Sequence, residues 1–168
     1  KYMRICQEKL GLIPNVIRAF SLRPEKLRTF IGKYNELMLG EDALLSRLER
    51  EMIATVVSSE NKCFYCVVAH GAGVRELSGD PMLGELMAIN YRAAEISARQ
   101  RAMLDFAVRM TRAPAEVEET DRQALRDAGF DERDILDIAN VAAFFNMTNR
   151  VSTALDRMPN PEYHAKAR

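Results

Sequence analysis

The sequence predicts an all-α fold, a helical bundle in a single domain of 168 residues. Three observations carry that expectation. Apolar residues recur at three-four spacing along most of the chain, and no stretch alternates as a half-buried strand does. Proline, glycine and short polar residues punctuate the chain where helices open, end and cap. The composition, 48% apolar and 29% charged, belongs to a globular chain long enough to bury a substantial core.

The elements follow in order. Pro14, within Leu12 to Asn15, suits a turn or the first position of a short helix ending near Ser21. Pro24 opens the next helix, where Leu27, Phe30, Ile31, Tyr34, Leu37 and Met38 keep one apolar face and Gly40 ends it. The helix after it carries Leu44, Leu45, Leu48, Met52, Ile53, Val56 and Val57 on a wide apolar face. Glu51 sits at that stripe's edge, about 60° from Leu48 on a helical wheel. Asn61 and Lys62 break the helix, and another starts at about Cys63. Gly79 stops it, and Asp80 caps a helix with Pro81 at its first position. Ser97 and Gln100 form a capping-box pair for a helix reaching about Thr111. Pro114 opens another, with Glu116, Glu118 and Glu119 in its early turns, where acids suit the helix dipole, and Gly129 ends it.

Asp131 caps a long final helix to about Met158. It is apolar on two sides, with Ile135, Ile138, Ala142 and Phe145 on one and Phe144, Met147, Val151 and Leu155 on another. A helix so broadly apolar is deeply buried or shared with another subunit, so a homo-oligomer, at least a dimer, is expected. No linker, low-complexity tract or repeat divides the chain.

Charge and hydropathy exclude several function classes. The 24 basic and 24 acidic residues cancel, and no basic run stands out, so nucleic acid and anionic membranes lose their electrostatic warrant. No apolar stretch approaches the roughly 20 residues of a membrane span, and no signal-peptide pattern opens the chain. Three cysteines, with Cys6 left over, do not make a secreted disulfide framework, so a reducing cytoplasm is the expected setting.

Chemistry concentrates between Glu51 and Gly71. Cys63 and Cys66 stand at dithiol spacing, and His70 follows one helical turn after the second cysteine. On one continuous helix the three would fall within an arc of roughly 60°, with Val67, Val74 and Leu77 beside them. Glu51 on the preceding helix adds a carboxylate. Buried cysteines acting as small hydrophobes would leave His70 and Glu51 without a purpose. A zinc site from Cys63, Cys66, His70 and Glu51 lacks the second ligand pair of closed structural sites. A reactive dithiol fits best, its thiolate favoured near a helix N-terminus and its proton taken by histidine. His70, four residues after Cys66, is the base nearer that cysteine, whereas the helix dipole favours a thiolate at Cys63. Elsewhere, Asn146 and Asn149 are either satisfied buried amides or part of the site lining. His164 reads as surface tail, and Cys6 has no partner motif.

The pattern E-x11-C-x2-C-x3-H, formed by Glu51, Cys63, Cys66 and His70, resembles the active-site signature of the alkylhydroperoxidase D and carboxymuconolactone decarboxylase superfamily. Ser58, Asn61, Cys63, Tyr65, Cys66, His70 and Gly71 fit the fuller string of its peroxidase-related branch, and the strings from Phe144 to Arg150 and Asn160 to His164 resemble that branch too. The resemblance implies an all-helical fold and a thiol-dependent peroxidase. Cys66 would attack the peroxide, Cys63 would resolve, and Glu51 would orient His70. An external dithiol reductant, protein or lipoyl-type, would reset the pair. No metal or bound organic cofactor is implied, and assemblies range from a dimer up to a trimer of dimers. One departure concerns Tyr65, where members of the family often carry a further histidine. A phenol is a poor base at neutral pH, which keeps a general dithiol–disulfide oxidoreductase in view as an alternative. Decarboxylation of a lactone acid, which has no need of a dithiol, fits less well, and a non-enzymatic metal-binding protein is the reading from another class.

Overall fold

A computed structural model describes residues 1–41 and 44–168. Every regular element among the described residues is helical. The helices are α1 (Tyr2–Leu10), α2 (Asn15–Phe20), α3 (Pro24–Tyr34), α4 (Arg47–Glu60), α5 (Phe64–Ser78), α6 (Pro81–Ile89), α7 (Ala98–Arg112), α8 (Glu119–Asp127), α9 (Glu132–Ala154) and α10 (Glu162–Ala165). Helix α4 is the axis, packed on α5, α6, α7 and α9. Its residues from Met52 to Ser58 are all at most 1% exposed, so the expected wide apolar face closes into burial on every side.

The capping chemistry explains where the helices begin. Ser46 and Glu49 exchange capping-box bonds at the start of α4, and Ser97 and Gln100 do the same for α7. Asp80 caps α6 with Pro81 at its first turn, and the Asp131 carboxylate accepts from the amides of Arg133 and Asp134 to open α9.

Four boundaries differ from the sequence expectation. Leu44 and Leu45 precede α4, because the Ser46 cap fixes its start; Leu45 is buried and Leu44 exposed. The helix opened by Pro24 passes at Asn35–Leu39 into a π-helical turn before Gly40. There the buried Arg50 guanidinium donates to the Leu37 and Gly40 carbonyls and satisfies the end of the turn. Pro114 starts only a 3₁₀ turn, Pro114–Glu116; the helix itself waits for the box between Glu118 and Asp121. Helix α9 stops at Ala154, four residues short of Met158, because Asp156 turns left-handed at φ 47°. The expected second apolar side of α9 is split: Phe144 is buried, Val151 is half-buried, and Met147 and Leu155 are exposed.

The C-terminal tail returns to the bundle. Arg75, itself buried, donates to the carbonyls of Tyr163 and Lys166, and the His164 ring lies 5.9 Å from that of Phe64. The tail therefore docks on its own α5. No helix of the described residues is long and apolar enough to cross a membrane.

Candidate functional site

The turn between α4 and α5 builds the site. After α4 ends, Lys62 adopts a left-handed conformation, φ 55°, and the Cys63 amide donates back to the Ser58 carbonyl at 2.9 Å. Cys63 is thus the last residue of one helix closure and the N-cap of the next helix. Its backbone is extended (φ −82°, ψ 96°), so it does not share a helical face with Cys66 and His70 as expected for a continuous helix. The N-cap position still leaves the two cysteines in one buried cluster with Tyr65.

Both sulfurs are buried, at 1% and 3% exposure, and all three cysteines are free thiols. Cys63 is held well below the ordinary thiol range, first by the Cys66 thiol donating to its sulfur, against desolvation, and then by the Cys66 amide, Thr153 and Asn149. Cys66 is pushed strongly upward because it is the donor in that bond, with burial and the Cys63 charge acting in the same direction. The two thiols are therefore coupled, and Cys63 is the one that gives up its proton more readily.

Glu51 and His70 form the second half of the site. The His70 Nδ1 lies 2.7 Å from Glu51 Oε2, and both side chains are largely buried. A carboxylate only accepts, so Nδ1 carries the proton and the neutral ring's lone pair sits on Nε2. The His70 ring stands edge-on to Phe145 with centroids 4.5 Å apart, which fixes its plane. Gly73 makes room for this arrangement: a Cβ there would meet Glu51 Cδ and Oε2 at 2.8 Å. Among the described residues no hydrogen bond joins His70 to either sulfur; it occupies the next turn of α5 beyond Cys66.

Helix α9 supplies the polar floor. Asn149, fully buried, donates to Ser58 Oγ at 2.9 Å and accepts from Asn61 Nδ2 at 2.9 Å. Asn61 also reaches Asn146 Oδ1 at 3.0 Å. Asn149 is thus both a satisfied buried amide and a neighbour that favours charge on both sulfurs. Asn146 is satisfied away from the sulfurs, through Thr111 and Arg150. Ser152, with its Oγ 3.9 Å from Cys66 Sγ, and Arg157 are not legible in the sequence as part of the site. Both lie over 85 residues from the dithiol in the chain, and only the crossing of α9 on α4 and α5 brings them there.

The cover over the dithiol is the N-terminal segment. Val16 packs on the cysteine pair, and its amide donates to Tyr65 Oη at 3.1 Å. Burial pushes the Tyr65 hydroxyl up to about 12, so it stays neutral and serves as a hydrogen-bonding post. Asn160 clasps the same segment, accepting from the Asn15 amide at 2.8 Å and donating to the Ile13 carbonyl at 3.0 Å. The groove beside α5 lined by Val67, Gly71, Ile89 and Tyr163 includes neither cysteine. Cys6 lies outside the site, its thiol raised by burial. Among the described residues no three Cys, His, Asp or Glu side chains converge in a way that could hold a metal ion.

Comparison with known proteins bears on the family and the fold. The family model for the carboxymuconolactone decarboxylase family matches residues 24–82. The chain is 65% identical to an uncharacterized peroxidase-related protein from Silicibacter sp. TM1040, covering 99% of this chain and 87% of that one, with a TM-score of 0.97. It is 42% identical to an alkylhydroperoxidase AhpD core, an uncharacterized peroxidase-related protein from Ralstonia eutropha JMP134, over 99% of this chain and 87% of that one, with a TM-score of 0.96. The debrominase Bmp8 shares the fold at a TM-score of 0.82 and 20% identity, covering 98% of this chain and 87% of its own. No curated protein matches the chain.

Proposed function

The chain belongs to the alkylhydroperoxidase D and carboxymuconolactone decarboxylase superfamily, and from that premise we propose that it is a thiol-dependent peroxidase working through Cys63, Cys66, His70 and Glu51. The observation that carries the reading is a pair of buried free cysteines at a helix N-terminus, one turn from a histidine braced by a carboxylate. A thiolate there is the nucleophile that peroxide cleavage needs.

In the proposed cycle the proton of the pair shifts from Cys66 to Cys63, and the charge moves to Cys66. Cys66 attacks one peroxide oxygen; an S–O bond forms, the O–O bond breaks, and an alkoxide or hydroxide leaves. His70 Nε2 delivers a solvent proton to that leaving group, while Glu51 holds the ring. Cys63 then attacks the Cys66 sulfenic acid, its proton leaving with the hydroxyl as water, and a Cys63–Cys66 disulfide forms. An external dithiol, protein or lipoyl-type, reduces it. The oxidative half takes up one proton beyond the one the pair carries, and reduction by the dithiol releases it again. No metal or organic cofactor enters the cycle, and a reducing cytoplasm would keep the dithiol available.

The test is peroxide consumption with a panel of dithiol reductants, for the wild type, Glu51→Gln, His70→Ala and the double variant. Proton transfer by a positioned side chain is typically worth about 10²–10⁴-fold, so each single change slows turnover visibly. Groups acting as one relay are non-additive, so the double variant is little slower than His70→Ala. Additive losses would make Glu51 and His70 structural neighbours only. Tyr65 at the position of a second base favours one alternative, a general dithiol–disulfide oxidoreductase. Disulfide exchange without peroxide consumption identifies it, and stoichiometric zinc in the purified protein identifies a metal-binding role instead.

A further inference from the structure

Helix α9 ends in a two-bond closure: the Asp156 amide donates to the Thr153 carbonyl at 3.1 Å and the Arg157 amide to the Ser152 carbonyl at 3.0 Å. Asp156 accepts a left-handed conformation to make it. The closure turns Arg157 back onto the dithiol, with its guanidinium 5.7 Å from the Tyr65 ring centroid and 5.6 Å from that of Phe20. Arg157 Nη1 donates to Ser152 Oγ at 3.0 Å. Its Nε and Nη2 are buried, and neither has a hydrogen-bond partner among the described residues. A buried cation without a carboxylate is costly unless a nearby anion offsets it. The anion at hand is the charge of the dithiol, one residue beyond Ser152: Ser152 Oγ lies 3.9 Å from Cys66 Sγ.

We propose that Arg157 is a positioning residue that acts through Ser152 to let Cys66 carry negative charge. The role rests on the peroxidase reading for its use in turnover. Because Arg157 occupies a lone pair of the serine oxygen, the hydroxyl proton is free to turn towards Cys66 when that sulfur ionises. A protonated Cys66 has a single S–H to give, to Ser152 Oγ or to the Cys63 sulfur, so the serine becomes the donor only once Cys66 is ionised. The chain Arg157–Ser152–Cys66 thus favours the charge shift from Cys63 to Cys66 that the cycle requires. The titratable groups facing Cys66 are Cys63 and Tyr65 on its own element, His70 one turn on with Glu51 of α4 behind it, and Arg157 after α9; α2 presents apolar Val16. Among them Arg157 supplies the permanent positive charge.

The experiment isolates Cys66 in a Cys63→Ser background and follows its alkylation by iodoacetamide against pH, with Arg157→Met, Arg157→Lys and Ser152→Ala added singly. Arg157→Met and Ser152→Ala are expected to move the profile to higher pH and slow alkylation at pH 7.5 by about tenfold, the loss of thiolate that a profile displaced by about one pH unit brings. Arg157→Lys should recover most of that loss. An unchanged profile in Ser152→Ala, or equal profiles for the Lys and Met variants, would overturn the role and leave Arg157 as packing. Ser152→Ala alone decides the matter should Arg157→Met fail to fold. Peroxide turnover is measured separately in the Cys63-containing protein. A shifted profile without peroxide turnover keeps the role and removes the peroxidase reading; turnover with an unshifted profile does the reverse.

Discussion

Gly73→Ala offers a sharp probe of the Glu51–His70 pair, because it touches neither residue's chemistry. A Cβ at position 73 would stand 2.8 Å from Glu51 Cδ and Oε2, where ordinary contact begins near 3.4 Å. The Oε2 atom that must retreat is the one holding His70 Nδ1 at 2.7 Å. Retreat by about half an ångström carries that bond past the useful range of about 3.2 Å. The carboxylate is the far end of a flexible side chain, so relief is sterically cheap. Losing a charge-assisted bond costs about 1.5–3 kcal/mol, and replacing a mid-helix glycine by alanine returns about 1 kcal/mol. Stability should therefore fall by no more than about 2 kcal/mol, while the imidazole loses its brace. Of the 10²–10⁴-fold that a positioned proton-transfer group typically contributes, about tenfold or more should disappear. Peroxide consumption and thermal unfolding are measured for Gly73→Ala, Glu51→Gln and the combination, which should be no slower than Glu51→Gln alone. Wild-type turnover in a folded Gly73→Ala protein would refute the reasoning.

Other predictions test the site's charge, cover and assembly. The Cys63 thiolate should persist below the ordinary thiol range near 8.5, so iodoacetamide should modify Cys63 first as pH rises, with Cys66 protected; mass mapping that finds Cys66 labelled first would reverse the charge assignment. Mild peroxide should bridge Cys63 to Cys66 and leave Cys6 reduced, its thiol being raised by burial; a Cys6 bridge in the mapped peptides would overturn this. Asn160→Ala removes two hydrogen bonds that hold the segment over the dithiol, so it should lower stability by about 1–3 kcal/mol and speed thiol alkylation; unaltered alkylation would mean the cover opens elsewhere. Light scattering at micromolar concentration should show a dimer or larger assembly, in keeping with the exposed Met147, Leu155 and Met158; a clean monomer of 19.0 kDa would count against it.

What can be read from the sequence is local. Glu51 and His70 are identifiable as partners, and the two side chains meet at 2.7 Å, because a fixed spacing across one tight helix turn leaves little freedom. The cysteine pair is equally plain, but a periodicity argument treats all residues as helical, and Cys63 is a cap. Capping residues set three helix starts correctly, since caps act within three residues. The misplaced ends have non-local or backbone causes: a π turn satisfied by Arg50 from the next helix, and a left-handed Asp156 with no glycine to announce it. Gly73 leaves a readable trace, because glycine inside a helix is destabilising unless something needs the space. Arg157 leaves none, since its place depends on how α9 crosses the dithiol helix.

The site is better understood as a meeting of helix ends than as a helix face. Of the three left-handed non-glycine residues among the described residues, two, Lys62 and Asp156, close helices α4 and α9. In each case the next residue donates its amide back to a serine carbonyl, Cys63 to Ser58 and Arg157 to Ser152. A left-handed conformation costs an ordinary residue about 1–2 kcal/mol, which glycine would avoid. Glycine would also loosen the turn, whereas a substituted residue allows fewer alternative conformations. The two left-handed turns place the Cys63 sulfur and the Arg157 guanidinium around the same buried volume. The serines that accept these amides also face inward, Ser58 to Asn149 and Ser152 to Cys66. A shift in either closure would therefore move a charge and its hydrogen-bonding neighbour together. Helix packing fixes the distance between α4, α5 and α9, and the closures fix what stands at their ends. The precision that thiol chemistry requires rests on both.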